Sequence, residues 1–207
     1  MKTIPFLIAL LLFALLPAAH GESPMQEIKA TTEKVLALLS KPSLQGDAKK
    51  DERRQLVRAE MDTRFAWEDS ARACLGRHWI KRTPAERTEF IKLFSEFLKD
   101  TYSEKIATYY GDLDKVDYQS EKIVDGGYAS VKILLTTKAK IDHPVEYRME
   151  KTASGDDWKV YDVVIEGISL VKNYRDQFDA IISKSNYEGL IQEIKSKHPT
   201  APAASAK

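Results

Sequence analysis

TPAERTEFIKLFSEFLKDTYSEKIATYY, residues 83–110, is the longest stretch of this 207-residue chain with an uninterrupted helical pattern. Thr83 suits the N-cap, Pro84 suits the first helical position, and Glu86 stands where a capping box needs its carboxylate. The segment therefore predicts one helix of about 40 Å, since an α-helix rises 1.5 Å per residue.

Large apolar side chains recur along this segment at steps of three and four residues. They are Phe90, Ile91, Phe94, Phe97, Leu98, Tyr102, Ile106 and Tyr109. The positions between them predict a solvated face and are held by Glu89, Lys92, Glu96, Lys99 and Ser103. We expect the apolar face to contact a sheet on one side and either other helices or an apolar ligand on the other.

The remaining helices and strands follow from the same kind of pattern. Further helices are predicted at 23–40, 47–61, 62–75, 170–184 and 186–197. After Lys115 the apolar period changes to two, and strands separated by turn signals are predicted at 115–124, 128–138, 143–152 and 157–169. The fold class is therefore α+β, with several helices packed on one face of a four-stranded, mainly antiparallel sheet.

The N-terminal residues 1–21 are typical of a Sec-type signal peptide. A continuous apolar run from Ile4 to Leu16 is too short to span a membrane, and Pro17 and small residues follow it. We expect residues 22–197 to form one exported domain and residues 198–207 to be a disordered tail.

Charge and cysteine content disfavour several kinds of protein. The chain has 32 basic and 31 acidic residues, interspersed and without the basic stripe that nucleic-acid binding requires. Its one cysteine, Cys74, is expected to be a small buried residue and excludes an internal disulfide. The nine glycines form no phosphate-binding loop, and the histidines lack zinc-site spacing.

Asp162 and Glu166 are the best carboxylate candidates for chemistry. They stand four apart on a predicted strand, and so are expected to share a face. A general base is one interpretation of Asp162, and an anchor for a buried network with an arginine or a backbone amide is the other. Ser169 is expected to cap the helix that follows.

Three segments carry a resemblance to a known family. LGRHW from Leu75, TPAERTEFIKLFSEFLKDTY from Thr83 and WKVYDVVIEGISLVKNYRDQF from Trp158 are similar to the MlaC family, also called toluene-tolerance auxiliary components. In the third segment the residues at the family spacing are Asp162, Glu166, Gly167, Ser169, Tyr174 and Arg175.

The resemblance implies a periplasmic phospholipid carrier of the ABC-linked system that maintains outer-membrane lipid asymmetry. It implies exchange of phospholipid between an outer-membrane lipoprotein–porin complex and an inner-membrane MCE-domain ABC transporter complex, without a cofactor or catalytic residue. It also implies a lipid-sized apolar cavity between sheet and helices. The side chains expected to line this cavity are Phe90, Phe94, Phe97, Leu98, Val131, Ile133, Tyr147, Met149, Val164 and Ile168.

Two other functions fit the same residue patterns. One is an enzyme with a related fold of helices on a curved sheet, using Asp162 as its general base. The other is a periplasmic adaptor whose interior is filled by its own side chains. Periodicity alone does not distinguish a filled interior from a hollow one.

Overall fold

The computed structural model describes residues 22–124, 127–155 and 157–196. The signal peptide predicted at 1–21 and the tail predicted at 198–207 lie outside these residues and remain predictions.

The described residues form an α+β fold, as predicted. The helices are α1 (Pro24–Ser40), α2 (Lys50–Arg64), α3 (Trp67–Leu75), α4 (Pro84–Tyr109), α5 (Leu170–Lys184) and α6 (Tyr187–Ser196). The strands are β1 (Leu113–Val124), β2 (Tyr128–Thr137), β3 (Asp142–Lys151), β4 (Trp158–Ile165) and β5 (Ile168–Ser169). They form one antiparallel sheet in the order β1-β2-β3-β4-β5, so the strands number five where four were predicted.

The fifth strand arises from a two-residue turn at the end of β4. Glu166 and Gly167 have φ of 51° and 80°, as the central positions of a type I′ hairpin turn require. The Glu166 carboxylate also lies 2.6 Å from Nδ1 of His143. Because β4 ends at Ile165, the prediction that Asp162 and Glu166 share a strand face is wrong.

Local capping chemistry begins three of the helices where it was predicted to. Thr83 Oγ1 accepts the Glu86 amide at 3.3 Å, and the Glu86 carboxylate accepts the Thr83 amide at 2.6 Å. Ser23 and Gln26 form the same reciprocal box before α1, and the Ser169 hydroxyl caps α5. These helix starts depend on residues only three positions apart.

The region between α2 and α3 differs from the prediction. Asp47 lies in a short 3-10 turn, and α2 begins at Lys50. The helix predicted at 62–75 is interrupted at Phe65, which is extended and forms a parallel bridge with Val160. The amide of the next residue, Ala66, donates to the Val160 carbonyl at 2.9 Å. This break attaches the helices to β4.

The face of α4 predicted to be solvated is partly buried. Ser95, Lys99 and Ser103 are buried, because α4 packs against α2, α3 and α6 on several sides. The Lys99 ammonium is neutralised there by Asp62 at 2.9 Å and Glu96 at 2.6 Å. The two-faced interpretation of α4 was therefore wrong for Lys99 and Ser103.

The apolar interior contains two large groups of side chains, here named the helical cluster and the sheet cluster. The helical cluster contains side chains from α3, α4, α5 and α6. Its members are Ala71, Cys74, Leu75, Phe90, Phe94, Leu98, Val171, Tyr174, Phe178, Tyr187, Leu190, Ile191 and Ile194. The sheet cluster lies between α1 and one face of the sheet and consists of Ile28, Ala129, Val131, Ile133, Val145, Met149, Trp158, Val160 and Val163. A smaller group at α1 and α2 contains Leu39, Val57 and Met61.

Cys74 is buried, as predicted, and burial raises the pKa of its thiol. No helix in the described part of the chain has the length and apolar content needed to cross a membrane.

Candidate functional site

The predicted lining residues on α4 lie in the helical cluster or against it. These residues are Phe90, Phe94, Phe97 and Leu98. The Phe94 ring meets Phe178 edge-on at 5.8 Å and Tyr174 edge-on at 6.0 Å. Aromatic pairs in this arrangement are favourable beyond the area they bury. Aromatic side chains of the protein itself therefore pack around much of these α4 residues.

The predicted lining residues on β2 and β3 are brought together on one face of the sheet. Val131 pairs with Tyr147 across the two strands, while Ile133 and Met149 lie on the same face. Val131, Ile133 and Met149 are buried, and Ile28 of α1 packs against this face. The structure thus assembles four of the ten predicted residues into a continuous apolar floor.

Val164 and Ile168 lie apart from this floor. Val163, rather than Val164, joins the sheet cluster, and neighbouring residues of a strand point to opposite faces. Val164 is buried, whereas Ile168 on β5 is 61% exposed.

The floor has a margin of apolar side chains that the protein covers only in part. They pack against the sheet cluster and are Met25, Phe65, Val116, Tyr118, Leu135, Tyr147, Ile165 and Leu170. Burial raises the pKa of the Tyr147 hydroxyl to about 12. Apart from Tyr147, this margin was not predicted to line a site. The alternation of apolar residues along β1 was the signal that could have indicated Val116 and Tyr118.

The surface of the described residues includes two grooves of about 350 and 400 Å³. One has a volume of about 400 Å³, lies between the end of α1, the end of α4 and the start of β1, and is here named the α1–β1 groove. Its lining consists of Leu36, Ala37, Ser40, Tyr110, Gly111, Leu113, Asp114, Lys115, Val116 and Lys138. The other, of about 350 Å³, lies beside the α5–α6 junction and is lined by His78, Lys81, Arg82, Ile182, Ser185, Asn186, Tyr187 and Glu188. Neither lining includes any of the ten predicted residues.

Asp162 is 4% exposed and uses both carboxylate oxygens within the fold. Oδ1 accepts the Val171 amide at 3.0 Å, and Oδ2 accepts the Ser169 hydroxyl at 2.7 Å and an Arg148 guanidinium N–H at 3.1 Å. The carboxylate therefore anchors the first turn of α5 to the sheet. This geometry supports the buried-network interpretation of Asp162 over the general base.

A second pair of carboxyl groups was missed in the sequence. Asp69 of α3 lies near Glu150 of β3, and burial together with Asp69 raises the pKa of Glu150 to about 7, while Arg72 opposes the shift. Sequence separation hid this pair, because α3 and β3 meet only in the folded chain.

Within the described ranges no group of three or more His, Cys, Asp and Glu side chains is placed to hold a metal ion.

Comparison with solved structures identifies the fold. The chain is similar to a phospholipid-binding protein from Ralstonia solanacearum that was solved in complex with a phospholipid, with a TM-score of 0.73 and 26% sequence identity. The match covers 85% of this chain and 97% of that protein.

Two curated relatives are similar in sequence over part of the chain. The intermembrane phospholipid transport system binding protein MlaC of Haemophilus influenzae is 22% identical over 144 residues, which is 69% of this chain and 66% of the relative. The toluene tolerance protein ttg2D of Pseudomonas putida is 34% identical over 107 residues, which is 51% of this chain and 48% of the relative. The chain thus spans between about half and two thirds of the length of these relatives.

The family model of the MlaC protein matches residues 29–196, which include α2 to α6, the whole sheet and most of α1. Because this match covers most of the chain, the protein belongs to the MlaC family.

Proposed function

We propose that this protein binds phospholipid in the periplasm and carries it between the two membranes of the cell envelope. In this proposal the N-terminal signal peptide directs export. The carrier exchanges lipid with an outer-membrane lipoprotein–porin complex and with an inner-membrane MCE-domain ABC transporter complex. The names of the two curated relatives and the phospholipid complex of the Ralstonia protein support lipid as the ligand.

One observation carries the proposal, namely the apolar floor on the inner face of the sheet. Val131, Ile133 and Met149 are buried there, while Leu135 and Tyr147 at its margin remain partly exposed. Binding sites for apolar ligands have such linings, with few polar groups that fix orientation. Hydrocarbon placed against the margin would remove the remaining exposed apolar area from water.

The physical need for a carrier follows from the size of the acyl chains. A diacyl phospholipid has roughly 30 methylene groups, and exposing each costs about 0.8 kcal/mol, so exposure of both chains costs on the order of 20 kcal/mol. Transfer through water without a carrier is therefore slow. A carrier must cover the chains and leave the head group in contact with water.

A second candidate function, an adaptor with a filled interior, is favoured by the helical cluster. Phe90, Phe94 and Phe178 contact each other there at centroid distances of 5.6 to 5.9 Å. In the carrier proposal this half of the domain is a rigid support for the sheet. The two functions differ in whether the purified protein holds lipid.

Lipid content of the purified protein tests the proposal directly. Native mass spectrometry and lipid extraction should find phospholipid bound to the wild-type protein. Leu135→Asp should lower the bound lipid, because Leu135 lies at the margin of the floor. Leu134→Asp is the matched control, since Leu134 is also partly exposed but points to the opposite face of β2.

Two results would count against the carrier. One is a wild-type protein free of lipid without any delipidation step, which would favour the adaptor. The other is equal lipid content in Leu135→Asp and Leu134→Asp, which would remove the sheet face as the site. The partner complexes need a separate test, in which lipid transfer to and from this protein is followed with each complex reconstituted in vesicles.

A further inference from the structure

The α1–β1 groove borders the apolar interior, because two of its lining residues also pack against apolar clusters. Val116 lines the groove and also packs against the sheet cluster. Tyr110 also lines the groove and packs against the smaller group that contains Leu39 and Met61. An apolar part of a ligand in this groove would therefore lie next to Val116, which packs against the sheet cluster.

The rim of the groove carries ammonium groups with room for an anion. The Lys138 ammonium donates to the neutral Gly111 carbonyl at 2.6 Å, and its charge, second to that of Lys140, also helps to lower the pKa of Asp114 in the same lining. The Lys115 ammonium is 3.6 Å from the nearest oxygen of Asp117, and both side chains are largely exposed. Asp114, the acidic residue in the lining, is held by Lys140 at 2.5 Å, a residue outside the lining.

Exposed apolar side chains surround the same end of the domain. Tyr109 is 66% exposed and directly precedes Tyr110 of the groove wall. Ile141 is 56% exposed and lies in the turn after β2, which the Lys138 amide joins to the Asp112 carbonyl at 2.8 Å. Apolar groups interleaved with lysines suit the boundary between hydrocarbon and phosphate in a lipid layer.

We propose that the α1–β1 groove is the head-group end of the lipid site, where Lys115 and Lys138 bind the phosphodiester of a phospholipid whose acyl chains lie along the sheet. This inference rests on the proposed function and assigns the polar end of the same site. The ammonium groups and a phosphodiester form charge-assisted hydrogen bonds, and the Leu36 and Val116 side chains contact the first methylene groups. The site thus takes glycerophospholipids in preference to uncharged lipids of the same chain length.

Charge reversal at the two lysines tests the inference. The double variant Lys115→Glu/Lys138→Glu is compared with Lys132→Glu/Lys172→Glu, which makes the same change in net charge at exposed lysines outside the groove. Three probes are titrated into each delipidated protein: dioctanoyl phosphatidylglycerol, dioctanoylglycerol and glycerol 3-phosphate. We expect the Kd for the phospholipid to rise about tenfold in the groove variant alone, with the Kd for dioctanoylglycerol unchanged.

Each other outcome identifies what has failed. Unchanged phospholipid affinity in the groove variant would overturn the head-group assignment and leave the proposed function intact. An equal loss of affinity for dioctanoylglycerol would also overturn it, because the lysines would then act without the phosphate. Competition by glycerol 3-phosphate as strong as that by the phospholipid would indicate a free-anion site instead. Failure of the wild-type protein to bind either lipid would refute the proposed function itself.

Discussion

Replacing Asp162 with alanine should lower the free energy of unfolding by about 3 kcal/mol. The largest part comes from the Val171 amide, which is buried at the start of α5 and would lose its acceptor, at a cost of about 1–3 kcal/mol. Ser169 and Arg148 would each lose a bond of about 0.5–1 kcal/mol net, because both can turn to water. The Arg148 side chain is 41% exposed, which keeps the total below the 3–5 kcal/mol typical of breaking a fully buried pair.

Two further variants separate the contributions of the individual Asp162 contacts to stability. Asp162→Asn keeps an oxygen for the Val171 amide but places an amide group where Oδ2 faced Arg148, so it should cost about 1–2 kcal/mol. Glu146→Gln is the control, because Glu146 contacts the same arginine at 3.6 Å on the exposed side. Its cost should be below about 0.5 kcal/mol, as for other exposed ion pairs.

Urea unfolding followed by circular dichroism gives these differences, provided that the slope with denaturant is equal among the variants. Hydrogen exchange at the Val171 amide reports the loss of the anchor directly, and it should accelerate in Asp162→Ala. The reasoning fails if Asp162→Ala is no more costly than Glu146→Gln. An Asp162→Asn protein of wild-type stability would show that the bonds of Oδ2 with Arg148 and Ser169 contribute little.

Three other predictions concern stability in other parts of the molecule. Glu150 has a pKa of about 7 in the folded state against an ordinary value of 4.5, so its ionisation destabilises the fold as pH rises through that window. Glu150→Gln should therefore raise the free energy of unfolding by about 1 kcal/mol at pH 8 but by little at pH 4. The value is modest because the side chain is partly exposed. An equal gain at both pH values would contradict this prediction. Gly76→Ala should cost about 1–3 kcal/mol in thermal unfolding because Gly76 has φ of 50°, whereas Gly111→Ala, with open space at its Cβ position, should stay within about 0.5 kcal/mol. Phe94→Ala should cost about 3–5 kcal/mol while lipid per folded molecule stays constant, and a loss of lipid at wild-type stability would return Phe94 to the lipid site.

Much of the fold could be predicted from short-range pattern. The starts of α1 and α4 depend on Ser23 and Thr83 with acceptors three residues later, and both were predicted correctly. The first three strands were predicted within two residues at their ends, because alternation along a strand is a local property, whereas the fourth ends four residues before its predicted end. The family resemblance of the segment from Trp158 was equally local, and the family match confirmed it.

The candidate site was predicted less completely, because its parts are joined only in the folded chain. Val131, Ile133, Tyr147 and Met149 were grouped correctly, since strand neighbours on one face can be counted along the sequence. The aromatic residues of α4 were assigned to the same site, and the structure places them against α5 rings in the helical cluster, so their contact with lipid stays a prediction. An apolar face on a helix indicates that the face will be buried, but it does not indicate which other element will bury it.

Sequence by itself thus determined where α1, α4 and α5 begin, which strand faces are apolar, and the family to which the chain belongs. Only the tertiary structure decided which apolar faces meet, that Lys99 and Ser103 lie inside, that Phe65 leaves its helix to join β4, and that Asp69 reaches Glu150. The physical reason is the separation along the chain of the residues that interact. Capping and alternation act between residues a few positions apart, whereas burial and carboxyl pairing depend on elements that are brought together from distant parts of the chain.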